Sequence, residues 1–177
     1  MKRLGLLRHA KSDWDDAALR DFDRGLSERG RRGAALIGAH IAAQPVKWDF
    51  ALASPAERVR RTLDASGLGV EVRFDERAYL ADAAVLTELL RKHGGEAGAV
   101  LLVGHNPGLQ ELVFRLVNPE CENGLFDEAA EKFPTAAFAV LELDIDDWAD
   151  LSAGCGTLAQ FTRPRDLDPS LGPETPR

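Results

Sequence analysis

A chain of 177 residues, 45% of them hydrophobic and with a formal net charge of −7, has the size and apolar content of one folded domain. That composition excludes a mostly disordered chain, and the acidic balance excludes broad affinity for nucleic acid or anionic membrane, so any anion site must be a focused one. Only Leu4-Gly5-Leu6-Leu7 separates Arg3 from Arg8, too short a run for a signal core or a membrane span, and Cys121 and Cys155 lack CxxC spacing. A cytoplasmic protein with reduced thiols is expected.

Leu4 to Leu7 is a short continuous apolar run that predicts a strand covered on both faces. Ser27 to Ala43 has helical spacing, with Ala34, Leu36, Ile37, His40 and Ile41 on one side. Phe50 to Ala53 predicts a second buried strand. Ser54-Pro55-Ala56-Glu57 follows it with an N-cap Ser, a Pro at N1 and a Glu at N3, which predicts a capping box and a helix turning Val59 and Leu63 inward. Asp82 is the predicted cap of a helix through Leu86, Leu89 and Leu90, ending at His93 before Gly94-Gly95. Val100 to Val103 predicts a third buried strand, and Ala137 to Leu143 and Gly156 to Thr162 predict strands nearer the sheet edge. Residues 1–163 read as one domain, and 164–177, rich in Pro, Asp, Gly and Ser, as a polar tail. The alternation predicts a three-layer α/β/α sandwich with a mostly parallel central sheet, whose ligands sit beyond the carboxyl ends of the strands.

Polar residues follow each of the three buried strands. Arg8-His9-Ala10-Lys11-Ser12 comes after the first, Ser54 and its helix after the second, and Gly104-His105-Asn106-Pro107-Gly108 after the third. Ser54, Arg58 and Thr62 share the i, i+4, i+8 line of that helix, so Arg58 is the arginine expected to face the strand ends. Two histidines and two arginines around one pocket suit phosphoryl transfer, in which charge spreads over three equatorial oxygens. Arginine forks match those oxygens, and a neutral imidazole can attack phosphorus while its other ring N–H is held by a backbone carbonyl. In this scheme His105 donates to a phosphoryl oxygen. No HExxH, His-rich tract or metal-spaced cluster is present, so neither a metal nor another cofactor is expected.

Leu6-Leu7-Arg8-His9-Ala10, Ser54-Pro55 with Arg58 and Thr62, and Gly104-His105-Asn106-Pro107 together resemble the histidine phosphatase superfamily, whose fold is phosphoglycerate mutase-like. The Asp23 to Gly30 stretch and Phe133-Pro134-Thr135-Ala136 look like its SixA-type phosphohistidine phosphatase branch, and the likeness runs from about Leu4 to Leu143. The resemblance implies that His9 accepts the phosphoryl group and that Arg8, Arg58 and His105 complete the pocket. Lys11, Ser12 and Asn106 are candidate substrate contacts by adjacency. Ala10 departs from the pattern, which usually has Gly there.

Glu76 and Asp82 are the candidate general acids. An alkyl phosphate leaves as a poor alkoxide and needs a proton donor, whereas a phosphoramidate manages with weaker help, so a missing acid favours P–N substrates. The expected substrate is therefore phosphohistidine in a protein partner. The alternatives are a phosphatase for small phosphomonoesters and a module that binds phosphate or a phosphoprotein without turnover. Arg24 reads as half of a surface ion pair with Asp21 or Asp23, His40 as a helix residue, His93 as a helix-dipole partner, and Trp48 and Trp148 as packing residues. Trp14 lies beside the proposed site without an assigned role.

Overall fold

Strands that lack in/out alternation must bury both faces, and here the alternate side chains of three strands enter two different cores. In the computed structural model, which describes residues 1–173, β1 (Lys2–Arg8), β2 (Phe50–Ala53) and β4 (Ala99–Gly104) sit inside a six-stranded sheet with β3 (Val72–Phe74), β5 (Phe138–Leu143) and β6 (Gly156–Thr162). The strand order is β3-β2-β4-β1-β5-β6. β3, β2, β4 and β1 are parallel, β5 is antiparallel to β1, and β6 is antiparallel to β5.

Leu4, Leu6, Phe50, Leu52, Val100 and Leu102 pack on one face against α3 (Ala83–His93), α4 (Gly108–Leu116) and α5 (Gly124–Glu131). Leu7, Ala51, Ala53, Leu101 and Val103 pack on the other against α1 (Glu28–Ala42) and α2 (Glu57–Ser66). This is the expected three-layer α/β/α arrangement. Among the described residues no helix is long and apolar enough to cross a membrane.

Several local expectations hold and others shift. Asp82 caps α3 by accepting from the Val85 amide at 2.9 Å, and α3 ends at His93 as the Gly pair requires. His93 Nε2 also meets Asp75 Oδ2 at 2.8 Å. Trp148 is fully buried and donates to the Ala97 carbonyl at 2.7 Å, and Trp48 packs edge-on against Phe138. Leu36 is only half-buried, because glycines and Ala34, Ile37 and Ile41 form the apolar face of α1. β3 was not expected: a three-residue edge strand is too short to carry a period, and its Phe74 is exposed. The Ser54 capping box is replaced by a different arrangement. α2 begins at Glu57 with Ala56 at the N-cap position and no cap from that residue's side chain, while the Ser54 hydroxyl accepts from the Ala56 amide at 3.3 Å and also bonds His105.

Pro164–Leu167 forms α6, which lies against α1 with Pro164 buried, and Arg29 donates to the Gly172 carbonyl. Residues 174–177 of the expected tail lie outside the described residues.

Two glycines of α1 should respond oppositely to Ala. A Cβ on Gly38 would fall 2.0 Å from the Ser66 carbonyl oxygen of α2, whereas one on Gly33 would meet its nearest neighbour, Pro164 Cγ, at 3.8 Å. Gly38→Ala is expected to cost about 1–3 kcal/mol through helix displacement. Gly33→Ala is expected to stabilise by about 0.5–1 kcal/mol through helix propensity. Urea denaturation midpoints of the two variants check the pair, and shifts of the same sign would refute this reading of the α1–α2 contact.

Candidate active site

The parallel ladder carries three polar residues to one edge. The His9 amide donates to the Gly104 carbonyl at 3.0 Å and the Ser54 amide to the Val103 carbonyl at 3.1 Å, so the exits of β1, β2 and β4 are tied together backbone to backbone. His9, Arg58 and His105 are all brought into this edge and are 6%, 5% and 3% exposed, a burial that polar groups tolerate only with partners. The two imidazole centroids lie 5.3 Å apart.

The hydrogen bonds set the tautomers. His9 Nδ1 lies 2.7 Å from the carbonyl oxygen of Ala10, which can only accept, so Nδ1 carries the proton and Nε2 keeps its lone pair. Arg58 Nη2, a donor, lies 3.3 Å from His105 Nδ1, so that nitrogen accepts and Nε2–H donates to Ser54 Oγ at 2.8 Å. Burial, with the charges of Arg58 and Arg8 adding to it, pushes His9 down to about 4 against the bond to Ala10. Burial, then the neighbouring His9 and Arg58, pushes His105 down to about 3.

Both rings are therefore neutral near pH 7, and folding disfavours their protonation. Stability should be full above the unfolded value of 6.5 and fall as pH drops through that value toward 4, by about 2 kcal/mol for each histidine at pH 5. Urea unfolding at pH 7.5 and pH 5 checks this, and equal stability at the two values would contradict it.

Arg58 is held from several sides. Its Nη1 donates to the Asp21 carbonyl at 2.8 Å and its Nη2 to Asp21 Oδ2 at 3.0 Å. The same Asp21 oxygen accepts from the Tyr79 hydroxyl, and the Tyr79 ring stands edge-on to His105 at 5.4 Å. Tyr79 first and Arg58 second hold the Asp21 carboxyl below the usual carboxylate range. Thr62 braces the other side: its hydroxyl donates to the Arg58 carbonyl at 2.6 Å and accepts from the Ala10 amide at 2.9 Å. The Ala10 methyl group is fully buried in the core under α1 and α2.

Arg8 donates through Nη1 to the Phe133 carbonyl at 2.9 Å, and its buried Nε has no protein partner. Burial and the charge of Arg58 lower the Arg8 pKa. A dianion between the two guanidinium groups would relieve that cost, which is the electrostatic signature of an anion pocket.

The other expected contacts have different places. Asn106 brackets the pocket wall, donating to the Phe133 carbonyl at 3.3 Å and accepting from the Gln110 amide of α4 at 3.1 Å. Lys11 is exposed, with its carbonyl accepting from the Ser27 amide, and Ser12 is half-buried in a bridge to Leu26. Neither acid candidate is bonded into the cradle: Asp82 accepts from Val85 as the cap of α3, and Glu76 is exposed on a short turn. Helix capping claims Asp82 because its oxygen satisfies an otherwise orphaned amide.

Asp21, Tyr79 and the Ser54 bond to His105 were missed. Asp21 stood in a charged loop indistinguishable from surface, and no pattern links it to Tyr79. Arg24 departs from its expected surface ion pair. It is buried, donates to the Asp16 and Leu19 carbonyls at 2.9 and 3.1 Å, and lies 4.1 Å from the exposed Trp14 ring, so it organises the loop that delivers Asp21. Among the described residues no group of three or more His, Cys, Asp or Glu could hold a metal ion.

The sequence profile of the histidine phosphatase superfamily (branch 1) matches residues 4–82. An uncharacterized protein of Mycobacterium tuberculosis is 36% identical over 160 residues, covering 90% of this chain and 100% of that one. A protein described as the phosphohistidine phosphatase SixA of Agrobacterium tumefaciens superposes with a TM-score of 0.75 at 30% identity, over 91% of this chain and 97% of that one. Its counterpart from Nakamurella multipartitia superposes at 0.82 with 29% identity, over 92% and 96% of the two chains.

Proposed function

The chain belongs to the histidine phosphatase superfamily, in its SixA-type branch, and from that membership we propose that it hydrolyses phosphohistidine in a protein partner through a covalent intermediate on His9, without a metal. The observation that carries the reading is the bond from His9 Nδ1–H to the Ala10 carbonyl, which leaves Nε2 as an unprotonated nucleophile beside two guanidinium groups.

In the first step the Nε2 lone pair attacks the phosphorus of a substrate imidazole that is protonated on its other nitrogen, and the P–N bond breaks with its electron pair returning to that ring, which departs neutral. The His9 ring then carries both the phosphoryl group and the Nδ1 proton, so it is cationic. That makes it a good leaving group: when water attacks in line, the P–N electrons return to the ring, which departs neutral, and the proton of water passes to solvent. Arg8 and Arg58 hold the equatorial oxygens. A phosphoryl oxygen replacing Arg58 at His105 Nδ1 calls for a donor there. Ser54 permits this, because its hydroxyl can accept from Nε2–H or rotate to donate to bare Nε2.

The carboxylate bonded into the cradle is Asp21, and Tyr79 and Arg58 keep it ionised. An ionised carboxylate cannot protonate a leaving alkoxide, which favours a P–N over a P–O substrate. Phosphate release from a phosphohistidine peptide and from an aryl phosphate, both in EDTA, tests the proposal. Faster release from the peptide is expected. Release from the aryl phosphate alone would shift the substrate to phosphomonoesters, release only with added metal would refute the metal-free route, and phosphate binding without release from either would make the chain a binding module.

A further inference from the structure

Two guanidinium groups beside two neutral imidazoles attract any phosphate dianion, and such a dianion is carried both by a phosphorylated substrate and by the phosphate that leaves. Attraction of that kind favours substrate and product alike, so it fills the site without speeding the chemistry. In this pocket it is opposed. Asp21 Oδ2 lies 3.0 Å from Arg58 Nη2, in an ion pair whose guanidinium side chain is 6% exposed and whose carboxylate side chain is 45% exposed. Beyond burial, which lowers both imidazoles most, the charges of Arg8 and Arg58 lower His9 and His105 further while that of Asp21 raises them, so the field of the carboxylate reaches both rings.

Several contacts hold the carboxylate in place. Arg24, 7% exposed, donates to the Asp16 and Leu19 carbonyls at 2.9 and 3.1 Å and shapes the loop ahead of Asp21. Phe22 stands edge-on to Tyr79 at 5.1 Å, and the Tyr79 hydroxyl donates to the same Oδ2 that meets Arg58. The Asp21 carbonyl fixes Arg58 Nη1 at 2.8 Å, so the main chain already orients the guanidinium and the side chain adds a negative charge to it. Because Tyr79 shares that carboxylate, Arg58 keeps attraction for a second anion.

We propose that Asp21, paired with Arg58 beside the histidines, is a resident counter-ion that loosens the hold on phosphate, so that product leaves and free phosphate does not block the site; the inference rests on the function proposed above. Arg58 Nη2 faces both Asp21 and, at 3.3 Å, His105 Nδ1. A phosphoryl oxygen displacing Arg58 from His105 therefore meets a guanidinium whose charge is already shared.

Asp21→Asn keeps the shape and an acceptor for Tyr79 while removing the charge. Titration calorimetry with inorganic phosphate at pH 7.5 in EDTA is expected to show binding about tenfold tighter in this variant than in the wild type, a gain that a damaged pocket would not give. Asp21→Ala, a second way of removing the charge, is expected to shift affinity in the same direction. Asp21→Glu restores the charge and is expected to bind phosphate within about threefold of the wild type. With a phosphohistidine peptide, KM is expected to fall in Asp21→Asn by a factor similar to that for phosphate while kcat does not rise. Unchanged or weaker phosphate binding in the two charge-removing variants would overturn the proposal, and so would equal tightening in Asp21→Glu or a rise in kcat.

Equilibrium binding separates this inference from the function it rests on. Tighter phosphate binding in Asp21→Asn, with no peptide turnover by either protein, supports the counter-ion and removes the phosphatase reading. Peptide turnover by the wild type with unchanged phosphate affinity in the variant does the reverse. Phosphate binding by neither protein refutes both.

Discussion

His9→Ala should reduce phosphate release from any phosphorylated substrate by about 10⁴-fold or more, the scale of removing a covalent nucleophile. The geometry leaves no substitute. The other imidazole has both nitrogens engaged, Nδ1 by Arg58 at 3.3 Å and Nε2 by Ser54 at 2.8 Å. The variant should still bind phosphate, since Arg8, Arg58 and His105 are all retained. Labelling with a ³²P-phosphoryl donor should give an acid-labile phosphoenzyme in the wild type and none in the variant. A variant that keeps more than about one-hundredth of wild-type turnover would transfer the nucleophile's role elsewhere. The fold should survive and become less acid-sensitive, because one of the two groups held below its unfolded pKa is gone.

Arg58→Ala should lower kcat/KM by about 10²–10³-fold, the usual loss when a preorganised donor to developing charge is removed. Arg58 is 5% exposed and held by Asp21 through both terminal nitrogens, so its guanidinium is already aimed at the site where it meets the phosphoryl oxygens. A second readout distinguishes this from simple misfolding. The Arg58 charge depresses the pKa of both His9 and His105, so its loss should raise them and move the acid limb of kcat/KM upward from about pH 4. A limb that stays or moves down would remove Arg58 from the electrostatics of the site. Arg58→Lys should recover part of the rate, as it restores the charge without the planar fork.

The positions of these groups were legible because they rest on local patterns. Three short apolar runs form strands buried on both faces, and parallel strands in that setting expose their carboxyl ends together, which aligns His9, Ser54 and His105 at one edge. The i, i+4 line of α2 likewise separated Arg58 from Arg60 and Arg61. The local pattern that makes Asp82 the cap of α3 also keeps it from the histidines as an acid, since one carboxylate oxygen satisfying an amide at 2.9 Å is anchored where the helix starts.

Hydrophobic period and helix phase act over a few residues and need no distant partner, so the strand ends, the layers and the positions of Arg8, His9, Arg58 and His105 were legible locally. Tertiary structure alone decided how the polar atoms are shared. The Ser54 hydroxyl accepts from the local Ala56 amide at 3.3 Å, and it also meets His105, 51 residues away, at 2.8 Å. Asp21 and Tyr79, 58 residues apart, meet beside Arg58. A side-chain hydrogen bond goes to the partner that leaves the fewest buried polar groups unsatisfied, and that balance exists only once the layers have closed.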